Sequence, residues 1–600
     1  MERPWFRLFP AVAGLTFRAA PVAVLGCLGV TAVAGIAPGG AAYSIRYLID
    51  DLTLGRRANQ GQAVLFVVLA VGLGALSLAA GYVASYLSGY VQQAVVCLAE
   101  DRLYTRVNEF TGLRELENPK FHDTMRLAER AVESGPVDLM VFIVSAVRQG
   151  STAAVYVGLL LAIWPPMTGL LVLAAIPAFT AQVMLAKQAR RAEARLVSCQ
   201  RRRHYFRELA LDPAGAKEIR LFGLGSLFHG RMMSALREAT RIEDRENRRA
   251  TTRELFLTLL NVAVSLAGAV IVVLAAVRGS VTVGDVSLFL AAIASIQGAF
   301  AAVIPQFGRA HRGLVLFSSY LDVTGLPADT PGGGLAVPVL SEGIEVRDLW
   351  FRYDAGSPWV LRGVNFTIRA GHSAGLVGVN GAGKSTLVKL LLRLYDPDQG
   401  TITWDGTELS RLDVTELRQK IRVTSQDFVA FDLTAAENVG LGDAGRRDDR
   451  DRIRAAAALA RVDDTLTRLP AGYDTLLSRV HTDDLGRDGT TLSGGQWQKI
   501  AIARALMRWE AELLVLDEPS SGLDPEAEHE IHRALADRGP GTKLVISHRL
   551  NAIREADVII VLNDGQVSEQ GTHDELLRAG GEYARLFALQ ASGYQESPAI

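Results

Sequence analysis

The chain has few cysteines, no evident internal repeat and almost no net charge. Its three cysteines, Cys27, Cys97 and Cys199, lie far apart without a histidine at ligand spacing, which excludes a disulfide framework and a zinc site. Lys and Arg number 63 against 64 Asp and Glu, a formal net charge of -1. This balance argues against a general nucleic-acid binder and against a disordered polyanion. A secreted scaffold, a collagen-like chain and a coiled-coil rod are also excluded.

Long apolar runs dominate the first half of the chain, and hydrophobic residues make up 49% of the whole. A helix of roughly 20 apolar residues spans about 30 Å of hydrocarbon while satisfying its own backbone hydrogen bonds. We therefore predict six transmembrane helices. The first run is too long for a signal peptide, and further apolar segments follow it. The predicted spans are 20–44, 63–87, 138–164, 167–186, 255–277 and 286–304.

Two long polar stretches, 88–135 and 187–254, separate some of these spans. Both are rich in helix formers, which predicts helical extensions beyond the membrane. The second stretch is rich in arginine, whereas the loops expected on the other side hold few basic residues. We therefore expect a protein of the cell (inner or plasma) membrane. The positive-inside rule predicts that both of its termini lie on the cytoplasmic side. The arginines at 201–203 lie near glutamates and are interpreted as a solvated helix face rather than a nucleic-acid patch.

A change of composition near residue 325 divides the chain. Residues 1–325 form the predicted transmembrane domain, and 326–342 are rich in Pro and Gly, as expected of a linker. From 343 to 594, short β-rich runs alternate with amphipathic helical stretches, which predicts an α/β domain with a largely parallel sheet. Residues 595–600 form a tail.

A glycine-rich loop follows the predicted strand 373–377 and precedes a helical segment, the required context of a phosphate-binding loop. Glycines let backbone N–H groups surround phosphate oxygens, and the N-terminus of the next helix adds positive charge. The lysine can reach the outer phosphates, and the serine hydroxyl can ligate Mg2+. The predicted nucleotide ligands here are Gly378, Asn380, Gly381, Gly383, Lys384, Ser385 and Thr386.

Two acidic residues, Asp517 and Glu518, end a second apolar strand pattern. We expect Asp517 to hold Mg2+ and Glu518 to polarise an attacking water molecule. An Asp-Glu pair at a strand end can also be purely structural. Its combination with the phosphate-binding loop favours the catalytic interpretation.

Further motifs resemble those of ATP-binding cassette (ABC) proteins in residue type and order. Residues 492–496 resemble the family's signature sequence, and the residues that carry it are Ser493, Gly494, Gly495 and Gln496. The other matches are Gln426 of the Q-loop, Asp524 of the D-loop, the switch histidine His548, and Tyr353, the aromatic residue that stacks on adenine. The motifs cover residues 343 to about 594, and the six spans extend the resemblance to exporter-type half-transporters over essentially the whole chain.

The resemblance implies a fold class, cofactors, catalytic residues and a partner. The fold is multidomain, with a six-helix α-helical transmembrane domain followed by an α/β P-loop NTPase (ABC ATPase) domain. The cofactors are ATP and Mg2+. The implied metal ligands are Ser385, Gln426 and Asp517, and the implied catalytic residues are Glu518, His548 and Gln426.

The implied partner is a second half-transporter, because the signature residues of one copy close over ATP held by Lys384 of the other. All motifs have the residues of a hydrolytic site, so a homodimer suffices, although a heterodimer stays open. Family analogy also places two short coupling helices after the second and fourth spans, for which 118–131 and 211–221 are the candidates. The Gly-Glu-Arg-Gly-like stretch that many exporters carry before the signature is missing from 478–491.

The expected function is ATP-driven export by alternating access. Few charges lie within the spans, which favours an apolar or amphipathic cargo such as a peptide, a lipid or a hydrophobic drug. An importer on the same fold and an ATP-gated membrane regulator are the alternatives, and no nucleic-acid partner is expected. High Ala, Gly and Arg usage favours a bacterial source. Polar residues that either line a cavity or bond neighbouring helices are Tyr43, Tyr82, Tyr86, Asn261 and Gln297.

Overall fold

The structure is a computed structural model that describes residues 5–53, 60–327, 333–425, 427–478, 482, 486, 488–518 and 541–595. The chain forms two compact units. The first comprises Met1–Asn108 and Pro119–Leu326, and the second comprises Glu109–Asn118 and Pro327–Ile600. The second unit therefore includes the short segment Glu109–Asn118, although the residues on both sides of this segment in the chain belong to the first unit.

The first unit is helical throughout its described elements. Its helices are α1 (Trp5–Ala19), α2 (Pro21–Thr53), α3 (Gln60–Asn108), α4 (Pro119–Ile163), α5 (Pro165–Leu211), α6 (Pro213–Leu221), α7 (Gly225–Val277) and α8 (Val283–Thr324). Each predicted span falls, to within a residue, in one of the helices α2, α3, α4, α5, α7 and α8. Helices α3, α4, α5 and α7 continue far beyond their apolar segments, which confirms the predicted helical extensions.

Five helices of the described chain, namely α2, α3, α4, α7 and α8, are long and apolar enough to cross a membrane. The fourth predicted span, 167–186, lies in α5, outside these five. Many apolar side chains on the five face outward, for example Val22 at 83% and Val277 at 81% exposure. Such surfaces are costly in water and suit a lipid environment.

Helices α2 and α4 approach closely because glycine and small polar residues line their contact. A Cβ added to Gly35 would lie 2.4 Å from the carbonyl oxygen of Arg148. The Thr152 hydroxyl donates to the carbonyl of Gly35 at 2.8 Å. On the other side of α2, the Ser77 hydroxyl of α3 donates to the carbonyl of Ala34 at 2.8 Å. These contacts hold α2, α3 and α4 together as one wall of the helical unit.

One predicted coupling helix is wrong and the other is confirmed as a short helix. Residues 119–131 are not a separate element but the start of α4, which runs unbroken from Pro119 to Ile163. Proline does not break a helix at its first position, where its missing N–H would have no partner anyway. By contrast, α6 is short, and its N-cap Asp212 accepts a hydrogen bond from the Gly215 N–H at 2.8 Å.

The second unit contains two sheets. The six-stranded sheet has the order β10-β9-β3-β8-β7-β6, and the four-stranded sheet has the order β2-β1-β4-β5. The strands are β1 (Gly343–Phe351), β2 (Leu361–Arg369), β3 (Ser373–Val377), β4 (Gln399–Trp404), β5 (Thr407–Glu408), β6 (Ile421–Thr424), β7 (Leu513–Asp517), β8 (Thr542–Ile546), β9 (Val558–Asn563) and β10 (Gln566–Gly571). Strands β6, β7, β8, β3 and β9 are parallel neighbours, as predicted, and the antiparallel four-stranded sheet was not foreseen.

Helices cover the parallel sheet, so its central strands β3 and β7 are buried on both faces. The helices of this unit are α9 (Lys384–Leu391), α10 (Val414–Gln419), α11 (Ala435–Gly440), α12 (Arg450–Leu459), α13 (Asp463–Thr467), α14 (Gly494–Leu506), α15 (His573–Ala579) and α16 (Glu582–Gln595). The carboxyl ends of parallel strands meet at one edge, where α/β proteins bind ligands. The helical first unit and the α/β second unit confirm the predicted fold class.

Candidate nucleotide-binding site

The phosphate-binding loop leaves β3 at Val377 and enters α9 at Lys384. Gly383 has a φ of 102°, a left-handed conformation that glycine adopts without strain. A Cβ at Gly378 would lie 2.2 Å from the carbonyl oxygen of Leu562, so only glycine fits there. Because the loop ends at the first turn of α9, the free backbone N–H groups of that turn can bind an anion. The predicted strand-loop-helix context is therefore present in the fold.

The Lys384 ammonium group lies inside this loop. Its Nζ donates to the carbonyl oxygens of Gly378 at 2.8 Å and Val379 at 3.1 Å. Burial lowers the pKa of Lys384, although the nearby carboxylates of Glu518 and Asp517 act in the opposite direction. A cation that is buried beside two acids is placed to offset the charge of a bound polyphosphate.

Asp517 and Glu518 stand at the carboxyl end of β7. Burial raises the pKa of Asp517 to about 6, and the neighbouring charge of Glu518 adds to this shift. Glu518 adopts a φ of 49°, an uncommon conformation for a residue with a side chain. Its N–H still donates to the carbonyl of Ile546 at 2.9 Å and so extends the pairing of β7 with β8. The left-handed conformation at Glu518 thus occurs at the carboxyl end of β7, where the catalytic carboxylate is expected.

The switch histidine lies beside the predicted general base. The His548 Nδ1 is 3.4 Å from the Glu518 Oε1, and the side chain of His548 is about half exposed. Gln590 of α16 makes two hydrogen bonds to the backbone around His548. Its Nε2 donates to the His548 carbonyl, and its Oε1 accepts from the Leu550 N–H at 2.9 Å. Sequence reasoning missed Gln590, since nothing local connects it to His548, which precedes it by 42 positions.

Tyr353 lies next to the phosphate-binding helix. Its hydroxyl is 3.0 Å from the Oγ1 of Thr386, so the predicted base-stacking residue and a predicted phosphate ligand are brought together. The ring packs edge-on against Phe351 and Tyr395, at centroid distances of 5.2 Å and 5.4 Å. These contacts fix one edge of the ring in an aromatic cluster.

The signature residues form a second group at the N-terminus of α14. Ser493 is the N-cap, and its hydroxyl accepts from the Gln496 N–H at 3.3 Å. The Gln496 Oε1 in turn accepts from the Ser493 N–H at 2.8 Å. This capping box leaves Gly494 and Gly495 in the first turn, where backbone N–H groups can bind an anion. The resemblance identified these four residues as the signature sequence, but did not indicate the capping role of Gln496.

Two predicted residues, Gln426 and Asp524, lie outside the described residues, as does half of the atypical stretch 478–491. Of the predicted metal ligands, Ser385 follows Lys384 in the first turn of α9, and Asp517 ends β7. Asn380 and Gly381 lie in the phosphate-binding loop itself.

The helical unit has a cavity of its own, of about 470 Å³, between α2, α3 and α4. Its lining is mixed: it includes the apolar residues Ala34, Val141 and Val144 as well as Arg148 and Gln149. The Thr31 hydroxyl also lines this cavity, and it is buried without a hydrogen-bond partner in the described structure. A cavity that combines apolar side chains with a guanidinium group suits an amphipathic anion.

The polar residues that the sequence offered as cavity candidates lie elsewhere. Gln297 donates to Asn261 at 3.2 Å and to Ser265 at 2.7 Å, which is hydrogen bonding between α7 and α8. Tyr82 and Tyr86 are 79% and 75% exposed on α3. Arg148 lies within the third predicted span, 138–164, and sequence reasoning assigned it no role. The signal it passed over is a single arginine in a span, which commonly marks a functional site.

Comparisons with known proteins agree with this arrangement. Residues 361–521 match the family model described as ABC transporter. An ATP-dependent lipid A-core flippase of Alcanivorax borkumensis is 32% identical over 582 residues, which cover 95% of each chain. A protein of the same name from Aromatoleum aromaticum is 36% identical over 391 residues, covering 64% of this chain and 62% of that one. The structure of a bacterial Atm1-family ABC exporter with ATP bound matches with a TM-score of 0.81 at 25% identity, covering 95% of this chain and 99% of that chain.

Proposed function

Since the chain belongs to the ABC transporter family and has the exporter-type half-transporter fold, we propose that two copies hydrolyse MgATP at shared sites to export an acidic amphipathic molecule. The class of activity is ATP hydrolysis coupled to transport across a membrane. Beyond this class of activity, we propose that two copies share the ATP sites and that Mg2+ binds there. We also propose that the ATPase unit is cytoplasmic and that the cargo has an acidic headgroup.

The geometry supports a division of roles at the nucleotide site. Lys384, held inside the phosphate-binding loop, neutralises the outer phosphates. Glu518 holds the attacking water molecule, and His548, whose Nδ1 is 3.4 Å from the Glu518 Oε1, links that carboxylate to the γ-phosphate. Tyr353 stacks on the adenine. In phosphoryl transfer such positioning and charge neutralisation supply most of the catalysis.

The residues present fit Mg2+. Hard cations prefer oxygen ligands, and the Ser385 hydroxyl and the Asp517 carboxylate supply them, with Gln426 as the third ligand. Burial and then the charge of Glu518 raise the pKa of Asp517, and a bound divalent cation would favour its ionised form. When bound, Mg2+ would neutralise charge on the β- and γ-phosphates. The chain's own contribution is to hold Asp517 at the end of β7 facing Lys384.

We propose a homodimer, because the signature group at α14 and the phosphate-binding loop each occur once in the chain. The N-terminus of α14, with Ser493 as its cap, then closes over ATP held by Lys384 of the second copy. A heterodimer is the alternative. By the positive-inside rule, the arginine-rich polar extensions favour an orientation in a bacterial cell membrane with the ATPase unit and both termini on the cytoplasmic side.

Arg148 in the cavity wall is the observation that carries the cargo assignment. A guanidinium group combined with apolar side chains favours a molecule with a carboxylate or phosphate headgroup and an apolar body. Lipid A-core, named in the relatives' description, has this chemistry. Neutral drugs and neutral peptides would gain little from Arg148.

Transport into inverted proteoliposomes tests this assignment. With ATP outside, wild-type protein should take up a fluorescent phosphatidic acid faster than the matching neutral diacylglycerol. Arg148→Gln should reduce this preference by about tenfold, while Arg148→Lys retains part of it. Arg130→Gln, on the exposed surface of the same helix α4, is the matched control and should behave like the wild type. An unchanged preference in Arg148→Gln contradicts the acidic headgroup, and outward movement contradicts export.

A further inference from the structure

The segment Glu109–Asn118, between α3 and α4, folds as part of the ATPase unit. The Leu113 N–H donates to the carbonyl of Leu394 at 2.9 Å, just after the phosphate-binding helix α9. The Arg418 Nη2 donates to the carbonyl of Thr111 at 2.6 Å. The Leu113 side chain packs against the apolar core under the four-stranded sheet. This segment, called here the 109–118 loop, is thus fixed by both backbone and side-chain contacts.

Glu117 makes two strong contacts at the end of this loop. Its Oε1 accepts from the Lys389 Nζ at 2.8 Å, and its Oε2 accepts from the Tyr395 hydroxyl at 2.5 Å. Burial acts to raise the pKa of Glu117, but the hydrogen bonds from Lys389 and Tyr395 lower it below its ordinary value. The carboxylate is therefore ionised at neutral pH and holds both partners at once.

Both partners of Glu117 border the ring of Tyr353. The Tyr395 ring meets the Tyr353 ring edge-on at an interplanar angle of 89° and a centroid distance of 5.4 Å. The Lys389 Nζ lies 5.4 Å from the centroid of the Tyr353 ring. At its other end the Tyr353 hydroxyl meets Thr386 of the phosphate-binding helix α9. Besides Phe351, the side chains that orient the ring are thus the two that Glu117 holds.

We propose that Glu117 is a positioning residue for nucleotide binding, which acts through Lys389 and Tyr395 to hold the Tyr353 ring ready to stack on adenine. The inference rests on the base-stacking role proposed for Tyr353. Without the carboxylate, Lys389 loses its ion pair and Tyr395 loses its acceptor, so the aromatic cluster loosens. The phosphate contacts of Lys384 come from a different set of atoms and stay intact. By linkage, a stacked base must in turn stabilise the 109–118 loop.

Equilibrium binding to the full-length protein, with all variants in a Glu518→Gln background, tests this proposal. Aromatic pair energies predict that Glu117→Gln weakens ATP binding by about threefold to tenfold. Binding of inorganic tripolyphosphate, which has no base, should not change. Tyr395→Phe, which removes only the hydroxyl, should weaken ATP binding less and with the same selectivity. Glu115→Gln, in the same loop, is the matched control and should leave both affinities unchanged.

A double-mutant cycle separates positioning from a merely structural role. In a Tyr353→Ala background, Glu117→Gln should cause no further loss of ATP affinity. A further loss there, or equal losses for ATP and tripolyphosphate, would overturn the proposal, as would an unchanged ATP affinity in the single variant. Lys384→Ala should weaken both ligands; if tripolyphosphate still binds normally to that variant, the phosphate site itself is misassigned.

Discussion

Removing the charge of Asp517 should stabilise the protein even though it abolishes a proposed metal ligand. In the folded ATPase unit, burial and then the charge of Glu518 raise the pKa of Asp517 from 3.8 to about 6. A carboxyl group whose pKa is raised on folding disfavours the folded state when it is ionised. This cost is absent below the ordinary pKa of 3.8, grows as the pH rises from there, and is complete above about 6. Asp517→Asn should therefore raise the melting temperature at neutral pH.

The size of the effect follows from the shift. A change of about two pKa units corresponds to roughly 3 kcal/mol, and screening by solvent leaves about 1–2 kcal/mol. For a unit of this size that is about 2–5 °C in melting temperature. At about pH 5 the native Asp517 is mostly protonated but the unfolded one is still ionised, so roughly half of the difference remains. The difference between wild type and variant should become small only at about pH 4, near the ordinary pKa.

Intrinsic-fluorescence melting of the full chain in detergent, without nucleotide or Mg2+, measures this difference. Asp557→Asn is a control of opposite sign, because hydrogen bonds from the Ser373 backbone N–H and hydroxyl lower the pKa of Asp557. That variant should lower the melting temperature at neutral pH. A lower melting temperature for Asp517→Asn, or a gain equal at neutral pH and at about pH 4, would refute the electrostatic reasoning.

The remaining predictions concern turnover and nucleotide binding. Glu518→Gln should bind ATP normally and lower kcat by about a hundredfold or more, because the water molecule loses its base. Undiminished turnover would contradict this role of Glu518. As a control, replacing the exposed Glu510 of the same unit (Glu510→Gln) should have no effect on turnover. Lys384→Ala should weaken ATP binding by about tenfold or more, because the outer phosphates lose a buried cation; an unchanged dissociation constant, measured with a fluorescent ATP analogue, would contradict the loop assignment.

The parts of the site that depend on local spacing could be predicted from the sequence. Lys384 and Ser385 follow directly from a strand-loop-helix pattern, and Asp517 follows from the end of a buried strand. Ser493 was identified because residues 492–496 resemble the ABC signature sequence. In each case the chemistry needs residues that are close in the chain.

Contacts between distant segments could not be predicted in this way. Gln590 of α16 donates a hydrogen bond to the carbonyl of His548, which lies 42 positions earlier in the chain. Glu117 accepts a hydrogen bond from Lys389, which lies 272 positions later. The coupling helix proposed at 118–131 was wrong because Pro119 was interpreted as a break, whereas it starts α4. The role of Arg148 depends on how α2, α3 and α4 rotate and pack, which hydrophobic periodicity does not determine.

The central claim is that ATP is held between two copies, by Lys384 of one and Ser493 of the other. Mixing Lys384→Ala chains with Ser493→Ala chains, all carrying Glu518→Gln, tests it directly through the ATP retained after rapid gel filtration. Shared sites predict that random mixing of a twofold dimer restores about a quarter of the sites, whereas either variant alone retains almost none. If the mixture retains no more ATP than the separate variants, each site lies within one chain and the account is contradicted.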